Sequence, residues 1–100
     1  IYRKGKSAGS PQLVIYCQRN RRGHSRLGVS VSTKLGCAVV RNRVRRRIRE
    51  IYRLNKAKML PGYDLIVVAR VRAVETDYQK LDHTYLRLLE QLDLLREDPS

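Results

Sequence analysis

Residues 26–50 read RLGVSVSTKLGCAVVRNRVRRRIRE, and two periodicities meet inside this stretch. Over 27–32, Leu27, Val29 and Val31 alternate with Gly28, Ser30 and Ser32, the pattern of a half-buried strand with one small, polar face. Gly36 breaks the alternation. Beyond it, Val40, Val44, Ile48, Ile51 and Tyr52 recur at steps of four, four, three and one, which predicts one apolar stripe on a helix over 38–55. A strand therefore hands over to an amphipathic helix within a few residues, and the rest of the chain has to supply what both pack against.

Outward from this core, the stretch QLVIYC at 12–17 is β-rich, with Leu13, Ile15 and Cys17 on one face and Val14 and Tyr16 on the other. Residues 1–11, with Gly5, Ser7, Gly9, Ser10 and Pro11, read as the tail of an element followed by a turn. Residues 18–25 carry Asn20, Gly23 and three arginines and read as an exposed loop. Leu60-Pro61-Gly62 ends the connection after the helix, and 65–71 reads as a buried strand. A second helix begins at Thr76, with Gln79 placed to complete a capping box. Its inner face is Tyr78, Leu81, Tyr85, Leu88, Leu89, Leu92 and Leu95, and 96–100 is a frayed polar tail. The order strand, strand, helix, strand, helix predicts one α+β domain over 1–100, with helices packed on a sheet. The apolar content supports such a core without staples.

Charge points to the partner. Twenty-two Lys and Arg against nine Asp and Glu leave a net +13, and a compact chain so charged repels itself unless a polyanion relieves it. The charge is also segregated. Residues 1–73 hold nineteen bases and two acids, while 74–100 hold seven acids and three bases, which predicts a binding side and a rear side.

Residues 41–53 concentrate this charge, with seven arginines in thirteen positions. Wound at about 100° per residue, Asn42, Arg45, Arg46, Arg49 and Arg53 fall between about 40° and 140°, opposite an apolar stripe centred near about 300°. Arg43 flanks the cluster. Arg41 and Arg47 lie at the margins of the stripe, where a long stem still carries its head to water. Like charges at i,i+4 disfavour the helix, and Glu50 is the one acid within it, so a solvated, solubilising face is a poor explanation. Arginine suits phosphate and base stacking better than lysine. Asn42 is placed to meet a base edge, a 2′-hydroxyl or the water shell of a cation. A DNA major groove would admit such a helix, yet there is no helix-turn-helix pair and no heptad for a dimer. Single-stranded and irregular RNA fit better, and DNA is not expected as a partner.

Other chemistries find little support. Cys17 and Cys37 form no metal spacing. Free thiols fit a reducing cytosol, with one disulfide as the alternative. The longest apolar run, 65–69, is too short for a bilayer, no signal peptide is visible, and no membrane partner is expected. A basic amphipathic helix lying on an anionic membrane is the weaker reading of 38–55, because the remainder reads as a folded domain. His24 and His83 lack Cys, Asp or Glu partners at ligand spacing, and Asp64 is expected to pair with an arginine. No catalytic residue and no protein metal site is predicted, so the chain alone reads as a non-enzyme.

The stretch 26–50 resembles the signature of the bacterial ribonuclease P protein family: a strand, then Lys34, Gly36, Ala38-Val39, Arg41-Asn42-Arg43 and the spaced basics Arg46 and Arg49. Ile1 to Lys6 looks like the end of that family's first helix, shortened here by about a turn, and Tyr63 to Arg70 like its last strand. The resemblance implies a small mixed sheet with a left-handed βαβ crossover. It implies a cytoplasmic protein that binds a catalytic RNA through Lys34 and the arginine helix and receives the single-stranded 5′ leader of precursor tRNA in a cleft lined by Tyr2, Val14 and Tyr16. It further implies that the RNA, with its Mg²⁺, does the chemistry of tRNA 5′-end maturation. The rival reading is a small basic ribosomal-type RNA-binding protein, which charge and size fit equally. A DNA-binding regulator, which would predict a dimer, stands third.

Overall fold

A computed structural model describes residues 6–20, 25–60 and 62–95. Tyr2, His24, Pro61, residues 1–5 of the expected first-helix remnant over 1–6 and the expected frayed tail at 96–100 lie outside the described residues; Lys6, the last residue of that expected remnant, is strand and not helix. Four strands form one sheet: β1 (Lys6–Gly9), β2 (Leu13–Arg19), β3 (Arg26–Val31) and β4 (Tyr63–Ala69), in the order β1-β2-β4-β3. β2 is antiparallel to β1 and β4, and β3 is parallel to β4. The helices are α1 (Ala38–Asn55) and α2 (Tyr78–Gln91). The fold is α+β with a mixed sheet, as expected, and α1 makes the crossover between the parallel strands β3 and β4.

Both helices lie on one face of the sheet. That face presents Leu13, Ile15 and Cys17 of β2 with Leu65, Val67 and Ala69 of β4, all buried. Val44, Ile48 and Ile51 of α1 and Leu81, Tyr85, Leu88 and Leu89 of α2 close the core over them, with Leu27, Val29, Val31, Tyr52 and Tyr78 packed at its margin. Full burial of a Leu or Ile side chain contributes about 1.5–3 kcal/mol, so this layer supplies most of the driving force.

The sequence pattern and the structure part at six places. The expected tail before the turn is a strand. Ser10 and Pro11 occupy the first two positions of a tight turn closed by Ser10 N–H donating to Leu13 O at 2.7 Å, and the turn folds Lys6–Gly9 back onto β2. Lys6-Ser-Ala-Gly9 has poor β propensity, so pairing rather than composition makes it a strand. Gln18 and Arg19, read as loop, extend β2 because Asp64 and Tyr63 stand opposite them.

β4 ends at Ala69, and Val71 sits exposed in a 3₁₀ turn over Val71–Ala73. Nor is β4 buried on both faces: Ile66 is 50 % exposed because the helices cover one side of the sheet. The N-cap of α2 is Asp77, whose carboxylate accepts from Lys80 N–H at 2.9 Å, instead of Thr76 with Gln79. Thr76 donates its hydroxyl to Arg72 O at 2.7 Å. Finally α2 stops at Gln91. Asp93 takes a left-handed φ of 59°, Leu94 is buried, and Leu95 forms a bridge with Met59 instead of continuing the helix.

Candidate nucleic-acid interface

The arginine helix starts where a glycine is required. Gly36 adopts φ 138° and ψ −159°, a region that is essentially glycine's alone, and a Cβ there would stand 3.3 Å from Val40 Cβ. Just before it, Ser32 caps a 3₁₀ turn over Thr33–Leu35 by accepting from Lys34 N–H at 3.1 Å, which leaves the Lys34 side chain exposed while Leu35 enters the core. Cys37 then caps α1 with no side-chain bond to the backbone.

Along α1 the expected division of faces is observed. Val44, Ile48 and Ile51 are buried, whereas Asn42, Arg43, Arg46, Arg49 and Arg53 are exposed. Arg41 and Arg47 are half-buried, as their place beside the apolar stripe requires. Arg45 is half-buried as well, although the helical wheel sets it on the outer side. Its guanidinium donates to Asn42 Oδ1 at 3.2 Å, which folds the side chain along the helix. Arg53 grips Glu50 with two bonds of 2.8 and 3.2 Å. The same contact holds the Glu50 carboxyl below the usual carboxylate range. Among the described residues, Arg43, Arg46, Arg47 and Arg49 make no ion pair with an acid. The result is a ridge of guanidiniums offered to an outside anion.

A second surface was not legible as a whole. The sheet face away from the helices carries three cross-strand rows. Val14, Val68 and Ser30 form the first, Tyr16, Ile66 and Gly28 the second, and Gln18, Asp64 and Arg26 the third. Tyr16 and Ile66 are each 50 % exposed. Val14 and Tyr16 thus share the face that neither described helix covers, as their alternation with Leu13, Ile15 and Cys17 predicts. A groove of about 770 Å³ runs along it past Ser7, Tyr16, Gly28 and Ile66 to Arg26 and Asp64. Ile66 and Val68 are not legible in sequence as open positions because the run 65–69 is apolar throughout and reads as a buried strand. The signal was present in Gly28 and Ser30, whose small side chains belong to the same open face. Asp64 does pair with an arginine, Arg26, at 3.4 Å.

The cysteines differ in setting. Both are free thiols. Burial pushes the Cys17 thiol up, whereas Val40 and Val39 N–H groups at the start of α1 pull that of Cys37 down. Among the described residues no three His, Cys, Asp or Glu side chains converge. No helix among them is long and apolar enough to cross a membrane.

The family model for ribonuclease P matches residues 1–93 of this sequence. The ribonuclease P protein component of Clostridioides difficile is 43 % identical over 95 residues, which cover 94 % of this chain and 83 % of that protein. Among solved structures, the ribonuclease P protein of Staphylococcus aureus superposes with a TM-score of 0.81 at 35 % identity, over 92 % of this chain and 84 % of that one. The protein from Thermotoga maritima gives a TM-score of 0.80 at 34 % identity, over 87 % and 83 %.

Proposed function

Because this chain belongs to the ribonuclease P protein family, we propose that it is the protein subunit of that cytoplasmic, tRNA-processing endoribonuclease, binding the catalytic RNA through α1 and the 5′ leader of precursor tRNA on the open sheet face. The observation that carries this reading is the pairing of two chemically different surfaces on one small domain. One is the guanidinium ridge of Arg43, Arg46, Arg47 and Arg49, joined by Lys34, Arg41, Asn42, Arg45 and Arg53. The other is a floor of Val14, Tyr16, Ile66 and Val68 that neither described helix covers.

Each surface suits a different part of an RNA substrate. Guanidinium forks take phosphates in pairs of bonds and relieve the repulsion of a crowded RNA fold. That relief matters most at low Mg²⁺, where screening by ions is poor. The Tyr16 ring on this floor takes a single-stranded base by stacking, worth ~1–3 kcal/mol per base and tolerant of sequence. Tyr2, the remaining leader-binding candidate, belongs to the same proposal. Among the described residues no acids converge on a metal site, and the Mg²⁺ of the reaction is assigned to RNA phosphates and water, and the hydrolytic step to the RNA. The protein's contribution is then grip on the substrate, which acts on KM more than on the chemical step.

The test compares the catalytic RNA alone with RNA plus this chain, on precursor tRNA with and without a leader of several nucleotides. The chain by itself cuts nothing in Mg²⁺. Added to the RNA, it lowers KM for the long-leader substrate more than for the leaderless one. Site-specific cleavage by the nuclease-treated protein alone would overturn the reading.

A further inference from the structure

The polar end of the open face holds an arrangement that stacking on Tyr16 leaves unused. Register sets Gln18 opposite Asp64 and Asp64 opposite Arg26, two residues along from the row of Tyr16, Ile66 and Gly28. Residues two apart on a strand share a face at a spacing of roughly 6.6 Å. Asp64 Oδ1 accepts from Asn20 Nδ2 at 2.8 Å and stands 3.4 Å from Arg26 Nε. Arg26 is thus held by its inner nitrogen, and its side chain remains 54 % exposed. The N–H donors of its two terminal nitrogens still form a fork of the shape that matches phosphate oxygens. Between this fork and the Tyr16 ring stand Gly28 of β3, which raises no side chain above the floor, and Ile66 of β4, whose half-exposed side chain forms an apolar step beside the ring. Arg26, Gly28, Asp64 and Tyr16 line one continuous groove.

An exposed ion pair of this kind adds little to stability. What it supplies is a tether: a long, rotamer-rich arginine is held near Asp64 at the edge of the groove that both residues line. We propose that Arg26, braced by Asp64, anchors one backbone phosphate of the leader, next to the nucleotide whose base lies on Tyr16. The inference rests on the leader reading above and adds a fixed register to it. Stacking on Tyr16 alone would let the strand slide, whereas one phosphate held at the end of the groove sets which nucleotide meets the ring. Both contacts ignore base identity, so the register is set without a sequence requirement. Arg26 is the contacting residue and Asp64 a positioning residue.

The experiment uses the full chain with the catalytic RNA and measures binding of precursor tRNA whose leader carries one neutral methylphosphonate at a time. With the unaltered chain, one position weakens binding on the order of tenfold, as loss of a charged hydrogen-bonding partner should. With Arg26→Gln, the all-phosphate leader binds about that much more weakly, and the position-specific loss disappears. Arg26→Lys restores part of it, since charge returns without the fork. Asp64→Asn, which keeps the residue's size, broadens the loss over neighbouring phosphates. If Arg26→Gln weakens all leaders equally and the position-specific loss persists, Arg26 is merely structural and the proposal is overturned. It is equally overturned if changing a leader base, rather than neutralising a phosphate, abolishes the Arg26 effect. If leader length has no effect even with the unaltered chain, the leader reading fails first and takes this inference with it.

Discussion

Asn55 Nδ2 donates to Asp82 Oδ1 at 2.7 Å and, from the same nitrogen, to Ile51 O at 2.9 Å, so one buried carboxamide ties the end of the arginine helix to α2 behind it. Asn55 is the last residue of α1 and is buried, and Asp82 lies a turn into α2. The contact lets α1 keep its basic ridge outward while its end stays anchored.

Asn55→Leu should therefore lower stability by about 1–3 kcal/mol, because the Asp82 carboxylate loses its donor in a half-buried site. Urea unfolding followed by circular dichroism checks this. A midpoint unchanged from the parent would show that water serves Asp82 equally well.

Gly36→Ala should cost about 1–3 kcal/mol, since φ 138° is open to glycine and the new Cβ would press on Val40. Thermal melting reads the loss. A substitution without effect would mean that the turn into α1 relaxes freely, contrary to the tight approach seen here.

Cys37 should react with iodoacetamide much faster than Cys17 at neutral pH. It is exposed, and backbone N–H groups lower its pKa, so the thiolate is present at lower pH, whereas burial raises that of Cys17 and hides it. Mass spectrometry after brief alkylation gives the order. Equal rates would place Cys17 outside the core.

The helix faces can be tested as a contrast. Ile48 is 1 % exposed, and Ile48→Asp should unfold the domain by burying an unpaired charge, at a cost of several kcal/mol. Arg49→Ala, one residue on and exposed, should shift stability by no more than about 0.5 kcal/mol while weakening RNA binding. A folded, binding-competent Ile48→Asp variant, or a collapsed Arg49→Ala one, would mean that α1 is turned the other way.

How much of this was legible beforehand follows from which interactions are local. The span 38–55, its buried stripe and its arginine ridge were readable because helical periodicity is written in consecutive residues. Val14 and Tyr16 on one face of β2 were readable for the same reason. Lys6–Gly9 was missed because its strand character comes from pairing with β2, which no local pattern encodes. The open floor of Ile66 and Val68 was missed because an apolar run does not say whether one side of it or both are covered. Asp77 displaced Thr76 as the cap of α2 because Thr76 was engaged with Arg72 O, a choice between adjacent capping residues that propensity alone does not make. Asn55 read only as a helix end, since its partner Asp82 lies 27 residues away.

The central claim is that α1 grips RNA through its phosphates, and the salt dependence of binding to the catalytic RNA tests it most directly. If roughly six to eight phosphates are neutralised, log K falls against log salt with a slope of about −4 to −7, and the double variant Arg46→Ala/Arg49→Ala makes that slope shallower by about 1.4–1.8. A slope near about −1, or one that the double variant leaves unchanged, would show that the arginines of α1 do not lie on the RNA backbone.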